Sequence, residues 1–538
     1  MRLAISIVVY SDGRLFFRYM RTTYMPNQMK LLNELTNDYL QFYELSRHEV
    51  LSDEIIFKKI AELDKKYANV KPHNETFEGL LSNIGADQKS IKVLNSVIKR
   101  LKSKKKELPP NKYYYDLANT IIAKADIEST TENYFLYLIN SESYKEARNT
   151  FLLVEKDNSD HFERASTNIA NILEKFGRNY EALYAYDRAL KFNKNFGMAL
   201  GNKAISLAYY TRLCPQQSLI LLNQVYLLLK QALRDENIEN IGGPFAAEAF
   251  NKKLISIESY FSENNFIPKE TKYPTNISKY QQFILKHNLF LNYDFGYFYD
   301  NESLKDNFFP NLTEKINAKK STKTSVMSEK TYFCFQVFNQ IMEDFITSRY
   351  NFYKAINLRC KKIDKNTNYI YTFDYTGHSL KFGMLKSVFS TLYNCLDKIA
   401  HFAKYNFSIS EIDTNNINIY FEWLTSKEFK EIIINKQSFH LLALYSLALD
   451  FKTNSQFSNL RTIRNRITHS FLNVGIDLYI SKNHECYETS EPLLIENIHS
   501  LFIVVKSAII YTIISIYSDN ADKNNFPMIA TMQNDIFQ

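Results

Sequence analysis

One stretch of the sequence carries the side chains best suited to acid–base chemistry. It runs from Ser458 to Leu472 and places arginines, an asparagine and a histidine among apolar residues at helical spacing. Apolar residues that recur every three or four positions fall on one face of an α-helix, so the spacing predicts an amphipathic helix over 457–473. The predicted apolar stripe consists of Leu460, Ile463, Ile467 and Phe471.

The polar side of this predicted helix, here called the motif helix, combines groups that can act on a phosphodiester. Arg461, Asn465 and His469 follow one another at intervals of four residues, and Arg464 lies between them and the apolar stripe. An imidazole transfers protons near neutral pH, and a guanidinium binds phosphate oxygens in a forked geometry. Arg464, Asn465 and His469 are therefore the candidate catalytic residues. Arg461 and Arg466 are candidate ligands for flanking phosphates, with solvated arginines on a surface helix as the alternative.

The hexapeptide Arg464–His469, with the sequence Arg-Asn-Arg-Ile-Thr-His, resembles the motif of the HEPN superfamily: arginine, polar residue, spacer, histidine. Three further segments resemble landmarks of one bacterial branch of that superfamily, namely 283–292, 348–350 and 396–400. The resemblance covers 275–518, about half of the chain. It implies a small helical bundle, preceded in this branch by tetratricopeptide-like helices. It also implies a metal-independent ribonuclease that uses no cofactor.

The reaction that this resemblance implies is an internal transesterification of RNA. The 2′-OH loses its proton and attacks the adjacent phosphate, the 5′-oxygen leaves, and the products carry 2′,3′-cyclic phosphate and 5′-OH ends. His469 would transfer the protons, Arg464 would stabilise the phosphorane, and Asn465 would orient His469 or a phosphate oxygen. One histidine does not easily serve as both base and acid, so the resemblance implies a homodimer in which two motifs face one cleft.

Composition narrows the class of protein. The 538 residues include 45% hydrophobic and 23% charged residues, which is typical of a globular protein of about two to four domains. Only 12 glycines are present and neither glycine-rich phosphate-binding motif occurs, so a nucleotide-binding loop is not expected. The net charge of +8 is a mild bias towards nucleic acid. Five cysteines without a C-x-x-C pair favour reduced thiols in a cytoplasmic protein.

The N-terminal part is expected to form a small cap. Two β-runs, 5–10 and 14–19, are joined by Ser11-Asp12-Gly13 and predict a hairpin. Helical periodicity follows over 25–107 and ends in a basic run from Lys99 to Lys106. This run could contact an RNA backbone, and a solvated helix end is the alternative.

Stacked helical hairpins are predicted for 111–262. The clearest repeat, 168–190, has the small and large residues by which the two helices of a tetratricopeptide hairpin pack together. Ala147 and Ala182 occupy equivalent places in two successive copies, at a separation close to the period of about 34 residues. Because one such unit cannot bury its apolar face alone, the region predicts a curved array with a concave binding surface.

Long helices are also predicted for the C-terminal half. Each has one apolar face, and this pattern predicts a helical bundle. The last is the most apolar, but Lys506 interrupts its run from Leu501 to Tyr517, which favours a buried helix over a membrane span. The polar loop 474–491 could hold a short β element. The predicted spans are 327–357, 376–405, 437–450, 457–473 and 493–518.

The remaining histidines have simpler explanations. His401 and His440 lie in apolar helical stretches, as is typical of core histidines. His484 lies near Cys486 and Glu488, but a structural zinc site needs four ligands, so a surface loop is the favoured interpretation and no metal site is predicted.

The sequence thus predicts an all-α protein with a small N-terminal β-hairpin, a tetratricopeptide-like array and a HEPN bundle, over 1–108, 109–265 and 266–538. The resemblance implies a ribonuclease toxin that cuts tRNA or another cellular RNA in bacterial anti-phage or toxin–antitoxin defence. The array would bind a protein trigger or antitoxin, and no membrane partner is expected. Two alternatives stay open: a HEPN scaffold that only dimerises or binds RNA, and a component controlled by a nucleotidyltransferase partner.

Overall fold

The computed structural model describes residues 3–520 apart from a set of gaps, and the statements below concern the described residues. The gaps are 10–14, 22–25, 69–70, 131–132, 214–217, 271–273, 292–303, 305, 307–328, 359–366, 371–375, 408–418, 454 and 476–486. The chain divides into two compact units. The first comprises Met1–Lys175, Glu181–Tyr210 and Leu221–Lys269, and the second comprises Phe176–Tyr180, Thr211–Ile220 and Glu270–Gln538. The three-part division into 1–108, 109–265 and 266–538 stays a prediction.

The first unit begins with the predicted hairpin. Strands β1 (Leu3–Val9) and β2 (Leu15–Arg21) pair antiparallel, with Ile7 opposite Phe17. The rest of this part of the chain is helical, as predicted. Its helices are α1 (Pro26–His48), α2 (Asp53–Lys66), α3 (Lys71–Asp87), α4 (Ile91–Ser103), α5 (Pro110–Glu128), α6 (Tyr134–Asn140), α7 (Ser143–Phe151), α8 (His161–Lys175), α9 (Asn179–Phe192), α10 (Gly197–Leu213), α11 (Ser218–Ala232), α12 (Ile238–Gly242) and α13 (Pro244–Glu263).

Helices α8 and α9 form the hairpin that the clearest repeat predicts. Ala170 on α8 and Ala182 and Tyr186 on α9 are fully buried. The turn between the helices contains Gly177 with φ of +72°, a left-handed conformation that side chains disfavour. A Cβ atom at Gly177 would also lie 2.2 Å from the carbonyl oxygen of Phe439. The hairpin explains the sequence pattern, and the tetratricopeptide assignment stays a prediction.

Two residues of the basic run at the end of α4 are paired with acidic side chains. Arg100 lies 2.7 Å from Asp64, and Lys104 lies 2.6 Å from the almost fully buried Glu78. An ammonium or guanidinium group already paired with a carboxylate has less charge to offer a phosphate. For Arg100 and Lys104 the structure therefore favours the structural interpretation over contact with RNA.

The second unit contains the predicted long helices. Helices α15 and α16 pack along their length, and α20 packs on α16 and α18. The unit is made of α14 (Lys279–Lys286), α15 (Glu329–Ile356), α16 (Leu380–Phe407), a 3₁₀ helix (Phe421–Thr425), α17 (Lys427–Lys436), α18 (Phe439–Leu449), α19 (Ser458–His469) and α20 (Glu491–Asn520).

A small sheet shortens two of these helices relative to the prediction. Strand β3 (Thr376–Gly377) pairs antiparallel with β4 (Leu472–Gly475), which pairs parallel with β5 (Tyr487–Ser490). The prediction of helix from 376 and up to 473 was therefore wrong at those ends. Burial alternates along β4 with the period of two that a strand requires. The predicted β element corresponds to the two ends of loop 474–491, whose His484 and Cys486 lie outside the described residues.

The most apolar helix, α20, is a core element of the second unit. Its segment Glu491–Ile516 has the length and hydropathy of a membrane span, and 83% of the most apolar window is buried within the protein. Lys506 is buried as well, donates a hydrogen bond to the carbonyl oxygen of Asn288 at 3.1 Å, and has its pKa lowered to about 7 by burial. On α18, burial likewise lowers the pKa of His440 to about 4, which confirms its predicted core position.

Candidate active site

The motif helix is α19, and only its first half is held in the bundle. Leu460 and Ile463 are buried where α19 packs on α16. Asn459 adds a polar contact, since its amide donates to the side-chain oxygen of Asn497 on α20 at 2.8 Å. These contacts fix the direction in which the helix leaves the bundle.

The second half of the motif helix is open to solvent. Ile467 is only partly buried, and Phe471, which follows the end of the helix, is 52% exposed. His469 is the last helical residue and is exposed, as is Asn465 one turn earlier. The predicted apolar stripe therefore ends after two residues in the described structure, and the candidate acid–base residue lies at an accessible helix end.

Arg464 is directed towards α16 and the 3₁₀ helix. Its Nη2 lies 3.6 Å from Oδ2 of Asp397, and its guanidinium carbon lies 5.4 Å and 5.9 Å from the ring centroids of Tyr393 and Tyr420. Its Nη1 donates to Oδ1 of Asn465 at 3.2 Å. Only 19% of the side chain is exposed. Tyr393, Asp397 and Tyr420, which we call the arginine socket, hold this cation by charge and by cation–π attraction.

Asp397 is itself fixed and partly desolvated. Its Oδ1 accepts the backbone N–H of Phe421 at 2.9 Å, at the first residue of the 3₁₀ helix. Burial raises the pKa of Asp397 to about 6, although the Phe421 N–H and the Arg464 guanidinium both act to lower it. The carboxylate is therefore charged above that pH and becomes neutral in mild acid.

The other two arginines differ from Arg464. Arg461 Nε lies 3.2 Å from Oε1 of Glu422, another residue of the 3₁₀ helix, and both side chains are well exposed to solvent. An exposed ion pair is worth about 0–1 kcal/mol, so a phosphate can compete for Arg461. Arg466 is partly buried and interacts with other residues of the chain.

The structure brings Arg464 and Asn465 into contact but separates Arg464 from His469. Five residues of α-helix correspond to about 140° around the axis and about 7.5 Å along it. Asn465 and His469, four residues apart, share the exposed side. The residues of the socket were missed from sequence because no spacing connects α16 and the 3₁₀ helix to the motif. Asp397 lies within the landmark segment 396–400, which was the one available signal.

A helical bundle that presents an arginine–histidine helix to solvent is the arrangement implied by the HEPN resemblance. Residues 325–519, about a third of the chain, match the family model described as LA2681-like HEPN. This segment is therefore a HEPN domain, which confirms the predicted superfamily, and HEPN domains are typically ribonucleases. A search of curated proteins and a search of solved structures each returned no match.

Proposed function

We propose that the protein is an endoribonuclease that cuts RNA by metal-independent transesterification at the motif helix. One observation carries this proposal: His469 lies at an exposed helix end, while Arg464 and Asn465 are held in a defined geometry on the same helix. The products would be a 2′,3′-cyclic phosphate and a 5′-OH.

The contacts suggest a division of roles. His469 can reach solvent, and in the two-fold pair proposed below its two copies transfer the protons of the 2′-OH and of the leaving 5′-oxygen, a contribution of about 10²–10⁴-fold. Arg464 supplies positive charge for the phosphorane. The Oδ1 of Asn465 accepts from Arg464, so its amide N–H groups are directed away from that contact and can donate to a phosphate oxygen. Arg461 and Arg466 would bind the flanking phosphates.

We further propose that the site works as a homodimer. Arg464 and His469 diverge around one helix, so a second motif helix across a two-fold axis would complete each site. The exposure of Phe471, two residues beyond His469, supports a contact at this end of the helix.

For the N-terminal region we propose a role in binding a protein trigger or antitoxin. Several large apolar side chains of this region are well exposed, including Leu136, Leu153 and Ile205. The setting that we propose is a cytoplasmic effector of bacterial anti-phage or toxin–antitoxin defence that cuts tRNA or another cellular RNA.

The test is incubation of the purified chain with total RNA in the presence of EDTA, followed by chemical mapping of the new ends. Cyclic phosphate and 5′-OH ends are expected, and their loss in His469→Ala assigns them to this site. Cleavage that chelation abolishes and magnesium or manganese restores would overturn the metal-free mechanism. RNA binding without any cleavage would support the scaffold alternative instead.

A further inference from the structure

Arg464 is surrounded by groups from elements that are distant in sequence. We propose that Asp397 is the positioning residue of the site: with Tyr393 and Tyr420, it holds the Arg464 guanidinium in the orientation that meets the scissile phosphate. This inference rests on the proposed ribonuclease function and adds a residue on α16 that does not itself touch the substrate.

The two carboxylate oxygens of Asp397 have separate tasks. Oδ1 accepts the backbone N–H of the fully buried Phe421, which fixes the plane of the carboxylate. Oδ2 faces Nη2 of Arg464 at 3.6 Å, an ion-pair contact rather than a tight fork. Because a guanidinium has five N–H donors, the contacts with Asp397 and Asn465 leave others for a phosphate. The carboxylate thus orients the Arg464 guanidinium and leaves some of its N–H donors available.

The two tyrosines restrict the guanidinium further. Tyr393 is buried and its pKa is raised by burial, so it stays a neutral ring beneath the cation. Tyr420 is exposed and forms the outer wall of the socket. A long, flexible arginine loses conformational freedom when it binds a phosphate, and a preformed socket removes part of that loss before the substrate arrives.

Asp397 carries its negative charge at neutral pH although burial disfavours the ionised form. The nearby charges are Arg464 and Glu422, and Glu422 is itself paired with Arg461. Burial outweighs the attraction of Arg464, so the ionised carboxylate is less favourable in the folded chain than in water. A charge kept at a cost to the fold is typical of functional sites. Neutralising Asp397 should therefore reduce cleavage without reducing stability.

Asp397→Asn is the decisive variant, because an amide keeps the shape and can accept the Phe421 N–H but carries no charge. We expect kcat to fall by about 10²-fold near pH 7.5 with KM little changed, the scale of a small misplacement of a catalytic group. Asp397→Glu should recover part of this loss.

The matched control is Asp344→Asn, which removes the 2.5 Å ion pair with Lys398, the neighbour of Asp397 on α16. Asp344 has a similar exposure, 24% against 17%, and its variant should cleave normally.

The pH dependence separates positioning from a purely structural role. Below about pH 6 the wild-type carboxylate is protonated and resembles the amide. The ratio of wild-type to Asp397→Asn rates should therefore fall from about 10²-fold near pH 7.5 to about 10-fold near pH 5, where about a tenth of the carboxylate is still ionised. His469 is present in both proteins, so its contribution to the rate cancels in the ratio. A ratio that is constant with pH, together with a lower melting temperature of the variant, would overturn the proposal.

One readout does not depend on cleavage. In protein labelled with ¹⁵N-arginine, the Nε–H signal of Arg464, assigned through Arg464→Lys, should exchange faster with solvent in Asp397→Asn than in wild type. Unchanged exchange would overturn the positioning role even if RNA is cut. If the Nε–H signal exchanges faster in Asp397→Asn but the wild-type protein cuts no RNA, the positioning role stands and the ribonuclease function is rejected.

Discussion

At the residue scale, the site separates an exposed side chain that can react from an arginine that its neighbours hold in place. His469 lies exposed at the end of α19, whereas Arg464 is enclosed by a carboxylate and two rings. The same substitution to alanine should therefore have different consequences for the fold at these two positions, although both should stop cleavage.

We expect His469→Ala to lower RNA cleavage by about 10²–10⁴-fold. Because the side chain is exposed, its free energy of unfolding should change by less than about 0.5 kcal/mol. Both quantities are measured on one preparation, by circular dichroism and by cleavage of a defined RNA. His48→Ala is the matched control, since His48 is also the last residue of its helix and is 79% exposed. Full cleavage by His469→Ala would show that the motif is not the active site.

Arg464→Ala should reduce stability as well as cleavage. The sequence alone suggests no loss of stability, because Arg464 lies outside the apolar stripe. The structure changes that expectation: the substitution leaves Asp397 without its counter-ion and empties the space between two rings. A loss of about 1–3 kcal/mol is expected in urea unfolding. Arg464→Lys keeps the charge but not the planar fork, so it should restore most of the stability and little of the cleavage. Equal stabilities for all three proteins would contradict this account.

Asp397→Asn should be more stable than wild type at neutral pH. The pKa of Asp397 in the folded chain, about 6, lies above its ordinary value of 3.8. The protonated side chain therefore contributes its full stability below pH 3.8, and this contribution is lost as the pH rises through 6. The amide carries no such penalty. The two unfolding free energies should therefore agree near pH 4 and differ by about 2–3 kcal/mol near pH 8, in favour of the variant. A variant that is less stable near pH 8 would mean that the ion pair with Arg464 outweighs burial.

At the element scale, the sequence predicts the helices well and their ends less well. Periodic apolar residues identify α15, α16, α18, α19 and α20, because burial of one face is a local property of the pattern. The end of α19 was misplaced because Phe471 continues the helical spacing while the chain already turns into β4. The socket could not be predicted, since it depends on the way the 3₁₀ helix and α16 approach α19 in three dimensions.

Helix α20 offers a test of the packed core. Burial lowers the pKa of Lys506 to about 7, so between that value and its ordinary value the unfolded chain binds one more proton than the folded chain. Wild-type stability should therefore rise with pH above 7, by about 1 kcal/mol per pH unit. Lys506→Met should lack this slope, and the exposed Lys427→Met should keep it. Thermal unfolding from about pH 6 to 9 measures all three, and a slope that survives in Lys506→Met would place the titration elsewhere.

At the scale of the whole molecule, the proposed homodimer would bring the single motif of each chain into one catalytic site. The family match covers residues 325–519 of the second unit. The local geometry argues for a partner, because Arg464 is directed into the bundle of its own chain while His469 and Phe471 face outwards. A two-fold axis near His469 would bring two histidines together and cover two phenylalanines.

Phe471→Asp tests this arrangement. A charge on each of two facing side chains would repel and would remain desolvated in the proposed contact. We therefore expect light scattering to find a dimer for wild type and a monomer for the variant. Its fold should persist, since Phe471 is exposed within one chain. Cleavage should then fall at low protein concentration and recover in part at high concentration, because association becomes limiting. Mixing His469→Ala with Arg464→Lys chains should restore part of an activity that neither homodimer has, since one mixed site then combines an intact histidine with an intact arginine. A monomeric chain that cuts at the full rate would show that each motif helix works alone. Mixtures as inactive as their components would show that no site is completed by the histidine of one chain and the arginine of the other.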